Sequence, residues 1–156
     1  MCAVNRVSAE PPSCLSCARF SVTACPFLSK PLAKRAAIDD LPHQSPAGLM
    51  IDRNPGVALI WETSTYRAER QPNGGLLFFI GSPTRVSWWR EGRPANREEV
   101  IESVRTGLPA LKRVAEADGH GAVEHLNALT LRAVRLFPGE DQPNVEGSRE
   151  YEPAAK

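Results

Sequence analysis

Four cysteines, Cys2, Cys14, Cys17 and Cys25, fall within the first 25 residues of a 156-residue chain. Thiolates bind metals, exchange disulfides and attack electrophiles, so this cluster is where chemistry is first sought. Cys14-Leu15-Ser16-Cys17 has the two-residue gap that lets two sulfurs converge on one ion from a turn or the first turn of a helix. Zinc accepts tetrahedral sulfur coordination without a redox change, and Cys2, Cys14, Cys17 and Cys25 together would make a closed set of four ligands. Cys25-Pro26 matches the end of the bacterial ferredoxin cysteine run, but the other spacings do not. A redox pair of the thioredoxin kind needs a preceding strand, and residues 1–13 supply none. Disulfides need an oxidising compartment, and Met1-Cys2-Ala3 opens no signal peptide. Metal ligands and free or core thiols stand as equal readings, with disulfides third.

Other chemistry is thinly represented. The chain contains no Gly-x-Ser-x-Gly elbow, P-loop or His-Glu-x-x-His helix. His120 and His125 are five apart, which does not put them on one helix face, and His43 lies in a polar loop. The residues argue for a non-enzymatic protein. A formal net charge of +1 disfavours a strongly basic nucleic-acid binder, and no apolar run is long enough for a membrane helix, so a cytoplasmic protein is expected.

The elements that must carry these groups follow from periodicity. Ser13 caps a helix from about Cys14 to Cys25, whose apolar face is Leu15, Ala18, Val22 and Cys25. Pro31 opens another short helix, and residues 39–47 form a loop. Residues 48–90 read as an antiparallel meander of three or four strands. Val57–Trp61, Thr63–Glu69, Leu76–Ile80 and Arg85–Trp89 are its segments. Asn73-Gly74 marks a hairpin with positive φ at both central residues. Asn96 caps a helix with Glu99 at the reciprocal position, and Val100, Val104, Leu108, Leu111 and Ala115 form its stripe. Pro109 kinks or restarts that helix. A last helix runs from about Ala122 to Leu136, burying Val123, Leu126, Leu129, Ala133 and Leu136. The fold class is α+β: one domain over residues 1–137, comprising a cysteine-bearing segment (1–30), a sheet (48–90) and two C-terminal helices (96–137). Residues 138–156 form a flexible tail.

Six of the ten aromatics lie in the sheet region: Trp61, Tyr66, Phe78, Phe79, Trp88 and Trp89. They either pack a core or stack on bases, with Arg67, Arg70, Arg85, Arg90 and Arg93 available for phosphates. Neighbours on a strand point to opposite sides, so Trp88 and Trp89 cannot share one core face. One of them is expected on a second packed face or at a partner interface. Trp88, Trp89, Arg85, Arg90 and Arg93 are therefore the candidate partner-binding set.

Several stretches resemble a family of uncharacterised proteins encoded by phages, prophages and related bacterial elements. They are Asn5-Arg6 with Ala9-Glu10-Pro11-Pro12-Ser13, Ala24-Cys25-Pro26-Phe27-Leu28, Arg53-Asn54-Pro55-Gly56-Val57, Trp88-Trp89, Glu91-Gly92-Arg93-Pro94-Ala95 and Gly107-Leu108-Pro109. The likeness covers roughly residues 3 to 137. It implies a split zinc site made from a Cys-x-x-Cys knuckle and a downstream His-x-x-Cys. Cys14 stands at the histidine position and Cys17 at the cysteine, while the knuckle has no counterpart here beyond Cys2 and Cys25. The family carries no established activity; the lack of catalytic motifs, the resemblance and the aromatic–arginine sheet together lead to the expectation of a mobile-element protein that binds a host protein or protein–nucleic-acid complex. Inhibition of a host defence complex, as by an anti-CRISPR protein, is one concrete form. A zinc-dependent nucleic-acid binder is the alternative, and an enzyme with an unrecognised site the third reading.

Overall fold

The computed structural model describes Val4, residues 6–30, Ala33, Asn54 and residues 56–139. Of the expected Pro31 helix only Ala33 is described, and it lies in neither a helix nor a strand; the 39–47 loop with His43 and the tail beyond Gly139 lie outside the described residues. In chain order the elements are β1 (Val7–Ser8), α1 (Leu15–Ala24), α2 (Pro26–Ser29), β2 (Ala58–Glu62), β3 (Tyr66–Arg70), β4 (Leu76–Ile80), β5 (Arg85–Arg90), β6 (Arg93–Pro94), α3 (Arg97–Asp118) and α4 (His120–Val134). The class is α+β, with the N-terminal and C-terminal helices where the sequence places them.

The strands are distributed over two antiparallel sheets, β1-β4-β3 and β2-β5-β6. Both are parts of one long hairpin whose ladder breaks in the middle. Glu62 pairs with Arg85 and Tyr66 with Ile80, so residues 63–65 on one side face residues 81–84 on the other. The extra residue acts as a bulge and ends the simple ladder. Side chains bridge the break: Thr63 Oγ1 donates to Ser82 O (2.9 Å), Thr84 Oγ1 to Glu62 O (3.2 Å) and Trp61 Nε1 to Gly81 O (3.1 Å).

The turns correct one expectation. Asn73-Gly74 does not form a two-residue turn with positive φ at both positions; among Gln71–Gly75 only Gly74 is left-handed, at φ 84°. Gly74 N–H donates to Gln71 O and Gln71 N–H to Gly75 O, both at 2.8 Å. Pro72-Asn73-Gly74 is thus a three-residue loop ending in a glycine bulge, with Pro72 favoring the first turn position. The turn with two positive φ values is Glu91 (52°) and Gly92 (77°), between β5 and β6.

Three apolar clusters position the sheet around the β2–β5 half. Trp88 (3% exposed) packs with Val57, Ala95, Val100, Leu59 and Phe137. Trp89 (7% exposed) packs on the other face with Val22, Ile60, Leu15, Ala18 and Leu28. Alternation along β5 therefore feeds two cores, one under α3 and the end of α4, the other under α1. The third cluster joins α3 to α4 through Ala115, Leu126 and Ala133, and Val4 inserts into it. The α3 cap is the reciprocal one expected: Asn96 Oδ1 accepts from Glu99 N–H (2.9 Å), and Glu99 Oε2 accepts from Asn96 N–H (3.0 Å). Pro109 sits inside α3, which continues through it to Asp118. Gly119, at φ 105°, separates the two C-terminal helices. Among the described residues, no helix is long and apolar enough to cross a membrane.

Candidate functional site

The cysteines separate into a pair and a single residue. Cys14, not Ser13, is the N-cap of α1, in extended backbone conformation (φ −69°, ψ 156°). Cys17 lies in the first turn, so the two thiols share the helix N-terminus and both are exposed. Cys25 caps the other end of α1. A helix rises about 1.5 Å per residue, which puts the Cys14 and Cys25 positions roughly 16 Å apart. Ligands of one zinc lie about 2.3 Å from it. Cys25 therefore cannot join Cys14 and Cys17 on one ion in this conformation, and the four-cysteine set is broken. Cys2 lies outside the described residues. Cys14 and Cys17 fit half of a tetrahedral site, and among the described residues no group of three or more metal-ligating side chains gathers.

The pair has its own electrostatics. The Cys17 thiol and the Ser16 hydroxyl, with Oγ 3.2 Å from Cys14 Sγ, stabilise a thiolate on Cys14. The Cys17 amide, turned toward the same sulfur without full cap geometry, adds to this. Together they bring the Cys14 thiol down to about 7. Hydrogen bonding and charge from Cys14 push the Cys17 thiol up. One thiolate is thus available near neutral pH, the form that binds metals and attacks electrophiles.

The partner-binding set is also divided. Trp88 and Trp89 are core residues. Trp88 Nε1 donates to Leu136 O (2.8 Å) and Trp89 Nε1 to Ser87 Oγ (3.0 Å). Their faces are taken up by packing, and neither indole is presented to a partner. Arg93 makes a two-pronged contact with Glu99, NH1 to Oε2 at 3.1 Å and NH2 to Oε1 at 2.6 Å. Arg90 Nε lies 3.3 Å from Glu91 and 3.5 Å from Glu99. The Arg93 guanidinium, aided by the Asn96 amide, holds the Glu99 carboxyl below its ordinary range. Arg90 and Arg93 therefore tie the β5–β6 turn to the first turn of α3. Arg85 lies 3.9 Å from Glu62, its pairing partner across the ladder, and remains exposed.

Two residue groups that sequence reasoning missed flank the broken ladder. The Arg6 guanidinium lies over the Trp61 ring (5.2 Å to its centroid), and Arg67 over Phe79 (4.6 Å). The second contact is a direct cross-strand pair, which a correct register would have given. Nothing in the spacing announces the first, because Arg6 reaches Trp61 through a left-handed backbone at φ 53°. Asn54, from the Arg53–Val57 stretch, is a clamp. Its Nδ2 donates to Phe27 O (2.6 Å) and Lys30 O (3.2 Å), and its Oδ1 accepts from Gly56 N–H (2.6 Å).

No protein-family model, curated protein or solved structure matches the chain.

Proposed function

We propose that the chain is a non-enzymatic protein of a phage or related mobile element that binds a host protein through its sheet surface. One observation carries the choice of a protein over nucleic acid. Four of the five arginines offered for phosphates face carboxylates, Arg67 with Glu69, Arg85 with Glu62, Arg90 with Glu91 and Glu99, and Arg93 with Glu99, while Arg70 donates to Gly74 O. A phosphate track needs uncompensated cations, whereas paired charges beside aromatic rings suit a protein surface. Inhibition of a host defence complex rests on the family resemblance alone. Affinity capture from the native host tests the proposal. The intact chain should retain a specific protein, and R6E and R85E should reduce its recovery. Equal recovery by all three, or retention only of nucleic acid released by moderate salt, sinks it.

The zinc-linked nucleic-acid reading is favoured by a different observation, the Cys14 thiol held near 7 beside Cys17. Its two missing ligands would come from outside the described residues or from a second molecule. Metal analysis of chelator-free protein should then give about one zinc per chain, or one per pair of chains, with binding that weakens steeply with salt.

A further inference from the structure

β3 is an edge strand of an unusual kind in this molecule. β1 and β6 are two residues long, and β6 contains Pro94. β2 has α1 packed against it through Ile60 and Ala58. β3 runs for five residues and four of them, Tyr66, Arg67, Ala68 and Arg70, are exposed. Its ladder register fixes which backbone groups are spare. Gly81 N–H donates to Thr65 O, and Gln71 N–H to Gly75 O. Odd-numbered residues therefore bond to β4, and the N–H and C=O of Tyr66, Ala68 and Arg70 turn outward. Among the described residues no second strand takes them.

We propose that this edge pairs with the β3 edge of a second copy of the chain, antiparallel about a two-fold axis at Ala68. The side chains select that partner and that register. Pairing about Ala68 sets Arg67 opposite the partner's Glu69 and Glu69 opposite the partner's Arg67. It sets Tyr66 opposite the partner's Arg70, a cation beside an aromatic ring, and Arg70 opposite the partner's Tyr66. Ala68 meets its own copy at the axis, where a small side chain leaves the strands room. Each of the three outward pairs exchanges two main-chain hydrogen bonds. Moving the axis to Arg67 or Glu69 keeps the outward groups matched but sets like charges directly opposite, which is destabilising. The interface is isologous, as a two-fold requires, and joins two copies of sheet β1-β4-β3 into one continuous sheet. Charged edges ordinarily discourage such pairing; here the two signs are arranged so that the strand complements itself. This self-pairing uses the strand edge and stands apart from host-protein binding, so either can fail alone.

Sedimentation equilibrium over a wide concentration range tests it on the full chain. The wild type should show a concentration-dependent monomer–dimer equilibrium. E69R sets Arg67 against an arginine twice per dimer and should weaken the dimer at least about tenfold. The swap R67E/E69R retains the intrachain pair, restores every cross-strand pairing and should return affinity to within about threefold of wild type. A68P removes an outward donor that no ladder bond uses and should leave only monomer. Circular dichroism of each variant, which should match the wild type, separates lost pairing from lost folding. A wild type that stays monomeric throughout, a dimer indifferent to E69R and A68P, or a folded swap variant that fails to recover overturns the proposal.

Discussion

The two halves of the long hairpin share a chain direction and a mean composition rich in aromatics, yet they are used in opposite ways. In the β2–β5 half, successive residues Trp88 and Trp89 are both buried because helices cover both faces. In the β3–β4 half, Phe78 is the one residue buried below a tenth of its surface, while Tyr66 keeps 56% exposure although its ring leans on Phe78 at 6.0 Å. The ladder break between them lets a single ribbon be core at one end and surface at the other. It follows that packing is concentrated in the first half and exposed surface in the second.

The largest test of that contrast removes a ring from each half. Trp88→Ala deletes packing against Val57, Val100 and Phe137 and the bond to Leu136 O. It should cost about 3–5 kcal/mol, a large share of the roughly 5–15 kcal/mol that keeps an ordinary domain folded. Tyr66→Ala, on an exposed ring, should cost no more than about 1 kcal/mol. Urea unfolding of the two variants checks both values. Similar losses would dissolve the distinction between a structural and a free half.

This contrast is only partly legible in the sequence. The alternation rule already denied Trp88 and Trp89 a common face, and the structure supplies two packed faces. The Asn96–Glu99 box and the stripe from Val100 to Ala115 were readable because both depend on spacing within one helix. The break was not, because one extra residue in a strand leaves no mark on composition. Asn73-Gly74 misled because Pro72 fits the first position of a different turn, while Glu91-Gly92, a weaker signal, took up the two left-handed conformations. The ion pairs of Arg90 and Arg93 were hidden because Glu99 comes from another element. In the cysteine site, the Cys14–Cys17 pair was legible as a local spacing. The exclusion of Cys25 follows from the length of the helix between the two cysteines, which the spacing of Leu15, Ala18 and Val22 already marks in the sequence.

A second test concerns the clamp that delivers the chain into β2. Asn54→Ala loses the donors to Phe27 O and Lys30 O and the acceptor for Gly56 N–H. Thermal unfolding should show a loss of about 1–2 kcal/mol, since the part-buried Phe27 carbonyl loses its short bond from the Asn54 amide. The loss should leave the β3 edge untouched, so dimer affinity measured below the transition should not change.

The Glu99 lock should be smaller and pH-dependent. Glu99→Gln can still accept from the Asn96 amide but loses its charge toward Arg93 and Arg90. About 1 kcal/mol is expected at neutral pH, allowing for solvent screening around the exposed arginines. Because the folded state holds Glu99 below its ordinary value of 4.5, the unfolded chain takes up the proton first as pH falls. Stability from this group is present above 4.5 and is lost on acidification through the folded value. Wild type and E99Q should therefore converge in stability at acid pH; curves that stay parallel would remove the lock.

The smallest effect on the fold, and the most direct on chemistry, lies at the exposed end of α1. Cys14 is held at about 7 by Cys17 and Ser16, while Cys17 is pushed above its ordinary 9.0. Alkylation followed by mass spectrometry should label Cys14 with a half-maximal rate near pH 7, and Cys17 only at higher pH. Cys17→Ser replaces the thiol donor by a hydroxyl and abolishes any shared metal pair. Serine can still donate to Cys14, so a thiolate stabilised by hydrogen bonding alone keeps a lowered alkylation midpoint in C17S, and Cys17→Ala should move it back toward 9.0. The sign extends to stability. The fold favours the Cys14 thiolate, so raising pH through 7 should add a small increment to wild type and a smaller one to C17A, which keeps the Ser16 hydroxyl and the residue-17 amide. Both residues are exposed, so the sheet and its two tryptophan cores should unfold unchanged in either variant at pH 6. A shift in the alkylation midpoint without a shift in unfolding would place this pair, like the β3 edge, among the parts of the molecule that the core does not need.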